Sequence, residues 1–308
     1  MDSPLVRVIL ATLGGYVLIL FFLFVYDWIL EEYPGPPSGP VELERIQHPL
    51  HHQTAVNALG LFKQLPEPEK AAMRQCLTSN LVPLEQWLAR LGQSNFQILC
   101  MGELHEESTR SFLSKKFFPA LSFDVLMLEA TPGELKGLIK RMEAGRDYFP
   151  LLDADIMNIL RTVRGRNPDI RISGIEQTDT QAENHHGSLN PRDRSIAQNF
   201  WSTFEAGSRH IVLFGALHCA NEPDWLFHNL CEQASSALKN EMLNVRVLGE
   251  HQNGAVEAFV YFLDEIGMKK RDFVVPDTRS LPGHIHEWFP LLNHHTLRKY
   301  RSLIVFRA

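Results

Sequence analysis

Cysteine is scarce in this chain. Four occur in 308 residues, at positions 76, 100, 219 and 231, and no two form a C-x-x-C pair. That excludes a dense disulfide scaffold and a thioredoxin-type redox motif. Positive charge is not in excess either: 30 Lys and Arg stand against 36 Asp and Glu, a formal net charge of -6, with the signs mixed along the chain. Without a basic stripe to neutralise phosphates there is no electrostatic case for nucleic acid. The Walker loop, the G-x-G-x-x-G turn, the G-x-S-x-G elbow and the H-E-x-x-H helix are all missing. His105-Glu106 is followed by Glu107, Ser108 and Thr109, so it does not complete a zincin helix. Low-complexity tracts are absent as well.

One long apolar run is present. Val8–Tyr26 (VILATLGGYVLILFFLFVY) carries no charge over 19 residues. As a helix it spans roughly 28 Å, close to the hydrocarbon thickness of a bilayer. It exceeds the apolar core of a cleaved signal peptide, and no A-x-A-like site follows it. Arg7 precedes the run, while Asp27, Glu31 and Glu32 follow it. That asymmetry predicts a single-pass signal anchor, N-terminus inside, with the bulk of the protein extracytoplasmic. Residues 1–33 are thus expected to form the membrane anchor, 34–45 a spacer around the Pro/Gly stretch Pro34–Pro40, and 46–308 one globular domain.

Within that domain, apolar periodicity predicts helices over Glu67–Leu77 and Leu84–Leu91, and then strands begin to alternate with helices. Strands are expected at Phe96–Met101, Phe123–Leu128, Ile170–Ile175, His210–Phe214, Val245–Leu248, Ala258–Leu263 and Leu303–Phe306. Helices are expected over Glu106–Leu121, Gly133–Ala144, Leu151–Val163, Pro191–Ala206 (capped by Asn190) and Pro223–Leu238. Gln181–Asn190 and Asp264–Pro290 read as loops. The pattern predicts an α/β fold with a mainly parallel central sheet flanked by helices, preceded by one N-terminal transmembrane helix. In such sheets, sites collect at the carboxyl ends of the strands.

Two segments resemble each other: ILCMGELHEES (Ile98–Ser108) and IVLFGALHCAN (Ile211–Asn221). Each has an apolar strand, a glycine where the chain turns, and a histidine three residues on. A single Gly-x-x-His is uninformative, but two at equivalent strand ends predict one site. The strands between them end at Glu129 and Glu176, so four successive strand ends deliver Glu103 with His105, Glu129, Glu176 and His218. In chain order the two Gly-x-x-His elements are the edges of this crescent. Two imidazoles with carboxylates are a ligand set for Zn, Mn, Co or Fe, and a metal there would generate hydroxide near neutral pH. An unused carboxylate is a candidate general base. Arg192 is placed to fix a carboxylate or an oxyanion, and Asp193 to favour a helix N-terminus. His185 and His186 are possible lid contacts. Cys100 and Cys219, one in each element, are either spatial neighbours or two separate buried thiols.

From Phe96 to Asn221 the ordered motifs GELHEE, LEA, GIEQ, RDRSIAQN and GALH resemble those of the Tiki/TraB, ChaN-like and erythromycin-esterase-like superfamily. Tiki-type members are membrane-anchored, divalent-metal-dependent proteases, ChaN-like members bind haem, and the esterase-like members hydrolyse a macrolide ester with a histidine and a glutamate. Leu104 and Glu106 depart from the esterase pattern, which has a small hydroxylated residue and a glycine there. The resemblance implies a membrane-anchored, metal-dependent hydrolase of peptidase or esterase type. In it His105 and His218 are metal ligands or catalytic histidines and Glu103 and Glu129 a ligand or general base, with Glu176 and Arg192 supporting them. The expected division puts the metal (Mn, Co, Zn or Fe) on His105, His218 and Glu176, with Glu103, Glu129 and Arg192 acting on a peptide or ester. The alternative is a haem- or metal-binding protein without turnover.

Overall fold

The computed structural model describes residues 60, 63–144, 151–183, 189–250, 252, 254–265, 267, 271–281 and 299–307. The apolar run Val8–Tyr26, the Pro/Gly spacer and the histidine pair His185-His186 lie outside the described residues. Among the described residues no helix is long and apolar enough to cross a membrane.

Eight strands form one sheet: β1 (Val82–Pro83), β2 (Ile98–Glu103), β3 (Val125–Leu128), β4 (Arg171–Gly174), β5 (His210–Gly215), β6 (Met242–Gly249), β7 (Phe273–Val275) and β8 (Ser302–Phe306). Their spatial order is β1-β7-β8-β6-β2-β5-β3-β4. From β8 to β4 all neighbours are parallel, whereas β7 runs antiparallel to both β8 and β1, so the sheet is mixed. The helices are α1 (Glu67–Asn80), α2 (Leu84–Gln93), α3 (Glu107–Phe112), α4 (Pro132–Glu143), α5 (Leu151–Arg166), α6 (Asp179–Glu183), α7 (Leu189–Thr203), α8 (Leu226–Gln233), α9 (Ser236–Lys239) and α10 (Gly254–Glu265).

The central strands are buried on both faces and alternate between two cores with period two. Leu99, Met101, Leu126, Leu128, Ile211 and Leu213 face the core shared with α2, α4 and α5. Cys100, Val125, Met127, Val212 and Phe214 face the core under α7 and α8. A third cluster joins Met73 and Leu77 of α1 to Val256, Phe259, Val260 and Leu263 of α10 over β7 and β8.

Several expected elements differ from those observed. Ala258–Leu263 was expected as a strand and lies inside α10. Its apolar residues Val256, Phe259, Val260 and Leu263 recur at three- and four-residue spacing, which is helical, and a short apolar run alone does not separate the two periods. Glu106–Leu121 is not one helix: α3 passes into a π turn, Leu113–Phe117, and then a 3-10 turn ending at Ala120. Pro223–Leu238 breaks after Gln233, where the Ser235 side chain accepts from the Leu238 N–H and starts α9. Helix α7 begins at Leu189, so Asn190 is inside it rather than its cap. Strand β7 sits within the stretch expected to be loop.

Sheet order also changes the crescent. Because β5 inserts between β2 and β3, the two Gly-x-x-His strands are adjacent, and Glu129 and Glu176 lie to one side of the pair rather than between its members.

Candidate active site

The site sits at the carboxyl ends of β2, β5, β3 and β4. The β2–β5 register sets Gly102 beside Phe214 and Glu103 beside Gly215, a stagger of one residue between the two motifs. His105, two residues beyond Glu103, therefore curls over Gly215. A Cβ built on Gly215 would lie 2.9 Å from His105 Nε2, and one built on Gly102 would lie 2.9 Å from the Ala216 Cα. Each glycine thus makes room for the other motif, which is a sharper reason for it than turn flexibility.

The two histidines are held differently. His105 is 46% exposed. Its Nδ1 lies 3.3 Å from Glu103 Oε1 and its Nε2 lies 3.4 Å from Glu129 Oε2. Arg110 Nη2 also approaches Nδ1, at 2.9 Å, and this contact works against a charged ring. The carboxylates prevail: hydrogen bonding to Glu103, then to Glu129, raises the pKa to about 9 against the opposing pull of burial. Arg110 Nε donates to Glu103 Oε1 at 3.0 Å, in a pair that is nearly buried. Glu103 Oε2 is buried with no hydrogen-bond partner among the described residues.

His218 is only 10% exposed. Its Nδ1 lies 2.7 Å and 2.9 Å from the two carboxylate oxygens of Asp193, which also accepts the Leu226 N–H at the start of α8 at 2.7 Å. The rings of Phe214 and Trp225 meet His218 edge-on. Arg192 Nη1 faces Nε2 at 3.2 Å, and a guanidinium can only donate. The matching tautomer donates Nδ1–H to Asp193 and leaves the Nε2 lone pair towards the site.

Arg192 and Asp193, consecutive near the start of α7, are what join the strand ends. The Arg192 guanidinium donates through Nε and Nη2 to the two oxygens of Glu176, at 2.9 and 2.7 Å, and through Nη2 to Glu129 at 2.8 Å. Burial disfavours the charge on Arg192, but Glu176 and Glu129 more than restore it and raise its pKa. Glu129 also accepts the Gly215 N–H at 2.8 Å, and lies 3.7 Å from His218 Nε2. Burial would raise the Glu129 pKa. His105, His218 and the Gly215 N–H overcome that and hold it well below the usual carboxylate range.

All six expected residues, Glu103, His105, Glu129, Glu176, Arg192 and His218, are therefore in one polar network. Their assigned division into ligands and catalysts is not what the contacts suggest. Glu176 is engaged by both arms of Arg192, and His218 Nδ1 by Asp193. Among the described residues no group of three His, Cys, Asp or Glu is placed to hold a metal ion. The cation between Glu129 and Glu176 is the guanidinium, and Glu103 Oε2 is a single free donor rather than a converging set. The side chains as they stand fit a divalent ion poorly.

Two residues had no assigned site role. Arg110 stands in the first turns of the helix after the first motif, seven residues from Glu103. Asp193 was placed at a helix start without its histidine, since the 25 residues separating it from His218 leave no periodic signal. The second motif is braced from outside the crescent: Tyr300 OH donates to the Ala216 carbonyl at 2.6 Å, and the Asn244 amide donates to the Cys219 carbonyl at 2.8 Å.

Beside His105 and Glu129 lies a cavity of about 630 Å³, within the range of small-molecule sites. Leu128, Leu213, Leu138 and Ile156 line its floor and wall, and Glu134 and Arg141 also border it.

No family model matches this chain, and no curated protein does. Solved structures do align with it. A protein from Bacillus cereus aligns over 77% of this chain and 97% of its own, at 11% identity and a TM-score of 0.49. RRSP, a MARTX toxin effector domain from Vibrio vulnificus, aligns over 56% of this chain and 37% of its own, at 16% identity and a TM-score of 0.35. The C-terminal region of Pasteurella multocida toxin, described as having a thiol-protease like catalytic triad, aligns over 53% and 26%, at 11% identity and a TM-score of 0.30.

Proposed function

We propose that the chain is a membrane-anchored hydrolase of ester or peptide bonds whose acid–base pair is His218 and His105. The observation that carries this is the opposite setting of two equivalent histidines around Glu129. Two imidazoles in different hydrogen-bonding settings beside one carboxylate suit an acid and a base. His218, oriented by Asp193 with its Nε2 lone pair inward, suits the base. A water taking over the Arg192 contact gives its proton to Nε2, and its oxygen attacks the carbonyl carbon. His105, kept charged by Glu103 and Glu129, gives a proton to the departing alkoxide or amine as the C–O or C–N bond breaks. Arg192 fixes Glu129 and Glu176, and Asp193 holds the base in its tautomer, so both act as positioning residues.

The order of motifs supports kinship with the Tiki/TraB, ChaN-like and erythromycin-esterase-like superfamily, and the apolar run Val8–Tyr26 supports the anchor. A bound divalent metal would supply activated water; the engagement of Glu129 and Glu176 by Arg192 supports turnover without one. The test is the full chain, purified in detergent and offered ester and peptide libraries with chelator or with Mn, Co, Zn or Fe. Hydrolysis that His218→Ala abolishes is expected. No turnover in any condition, with a Soret band on haem addition that His105→Ala alters, overturns it in favour of the binding protein.

A further inference from the structure

We infer that the cavity beside His105 is an acyl pocket, so that the group flanking the scissile carbonyl is uncharged and aliphatic. This deepens the hydrolase reading and rests on it for the position of the carbonyl. The cavity is two-ended. Its polar end is His105, Glu129, Glu103 and the Arg110 guanidinium paired with Glu103. Its other side carries Leu128 and Leu213, the last inward-facing leucines of neighbouring strands, and Leu138 of α4 and Ile156 of α5, with Ala130, Glu134 and Arg141 also on the lining.

A charged group packed against those four side chains would lose hydration there, whereas methylenes would lose water favourably. The Glu134 and Arg141 side chains at the cavity border are of opposite sign, so they select no net charge. Leu217, between Gly215 and His218, is one of two large apolar side chains that stand exposed among the described residues, at 46%.

Two measurements on the full chain in detergent test this. In the first, hydrolysis of p-nitrophenyl acetate, butyrate and octanoate is compared. Each added methylene is expected to raise kcat/KM about fourfold until the cavity fills. Ile156→Trp, which narrows the cavity, is expected to abolish the preference for octanoate over acetate; Ile156→Phe is the fallback if the tryptophan variant does not fold. In the second, binding of octanamide and acetamide to the His218→Ala chain is measured by calorimetry, which needs no turnover.

Octanamide binding that Ile156→Trp removes, with no hydrolysis of any ester, upholds the pocket and overturns the hydrolase reading. Ester turnover that is indifferent to chain length, with octanamide bound no better than acetamide, overturns the pocket and leaves the hydrolase reading standing. Neither binding nor turnover overturns both.

Discussion

The two Gly-x-x-His elements share a strand, a glycine and a spacing, yet the fold gives their histidines opposite surroundings. His105 is half-exposed with a carboxylate at each ring nitrogen, and its pKa rises to about 9. His218 is nearly buried, with Asp193 on one nitrogen and a guanidinium facing the other. A repeated motif therefore fixes where two imidazoles meet, while their chemistry is set by what neighbouring elements place beside them. Asp193 and Arg192 from α7 make the distinction, and neither belongs to the repeat.

The sharpest way to break this contrast is to remove the base. His218→Ala is expected to lower kcat/KM by about 10³–10⁴ with an unchanged circular dichroism spectrum, and Asp193→Asn by a similar factor through the wrong tautomer. Retained activity in both would end the assignment of His218 as base.

Replacing the acid should matter less. His105→Gln is expected to cost about 10²-fold in turnover and to erase the alkaline limb of the pH–rate profile, which in the parent chain falls as pH rises through about 9. An alkaline limb that persists in the variant contradicts the role. The same shift enters stability. The folded pKa lies above the unfolded one, so this contribution is complete below the ordinary histidine value of 6.5 and is lost as pH rises through about 9. Glu129 has the reverse sign: its contribution is present above 4.5 and is lost as pH falls. Thermal melts across pH should show both flanks, and His105→Gln should flatten the alkaline one.

The glycines offer a subtler comparison. Gly215→Ala presses on the movable His105 ring and is expected to reduce turnover about tenfold with little change in melting temperature. Gly102→Ala presses on the Ala216 backbone and is expected to lower stability by about 1–3 kcal/mol. Equal effects of the two would mean the stagger between the motifs is unimportant. The smallest expected effect is that of chelator: dialysis against EDTA should leave turnover unchanged. A loss restored by Mn, Co, Zn or Fe would return a metal to the site.

Much of the fold was legible. Strands β2, β3, β4, β5, β6 and β8 appear as short apolar runs because parallel strands buried on both faces carry continuous hydrophobicity. Strand β7 was not, since three residues in a polar stretch give no periodicity to read. The segment Ala258–Leu263 failed for the opposite reason: an apolar run that short satisfies both periods.

By itself the sequence determined that two Gly-x-x-His elements and two strand-end glutamates share one end of an α/β sheet, because strand–helix alternation brings carboxyl ends together. It also made Arg192, in the helix after Ile170–Ile175, a candidate to fix a carboxylate. Only the tertiary structure decided the rest. Sheet order put β5 beside β2, so His105 rests on Gly215 and the glycines of the two motifs accommodate one another. Packing of α7 across the strand ends brought Arg192 between two carboxylates and Asp193 under His218. Those contacts join residues far apart in the chain, and local periodicity carries no information about which distant side chain will neutralise a charge.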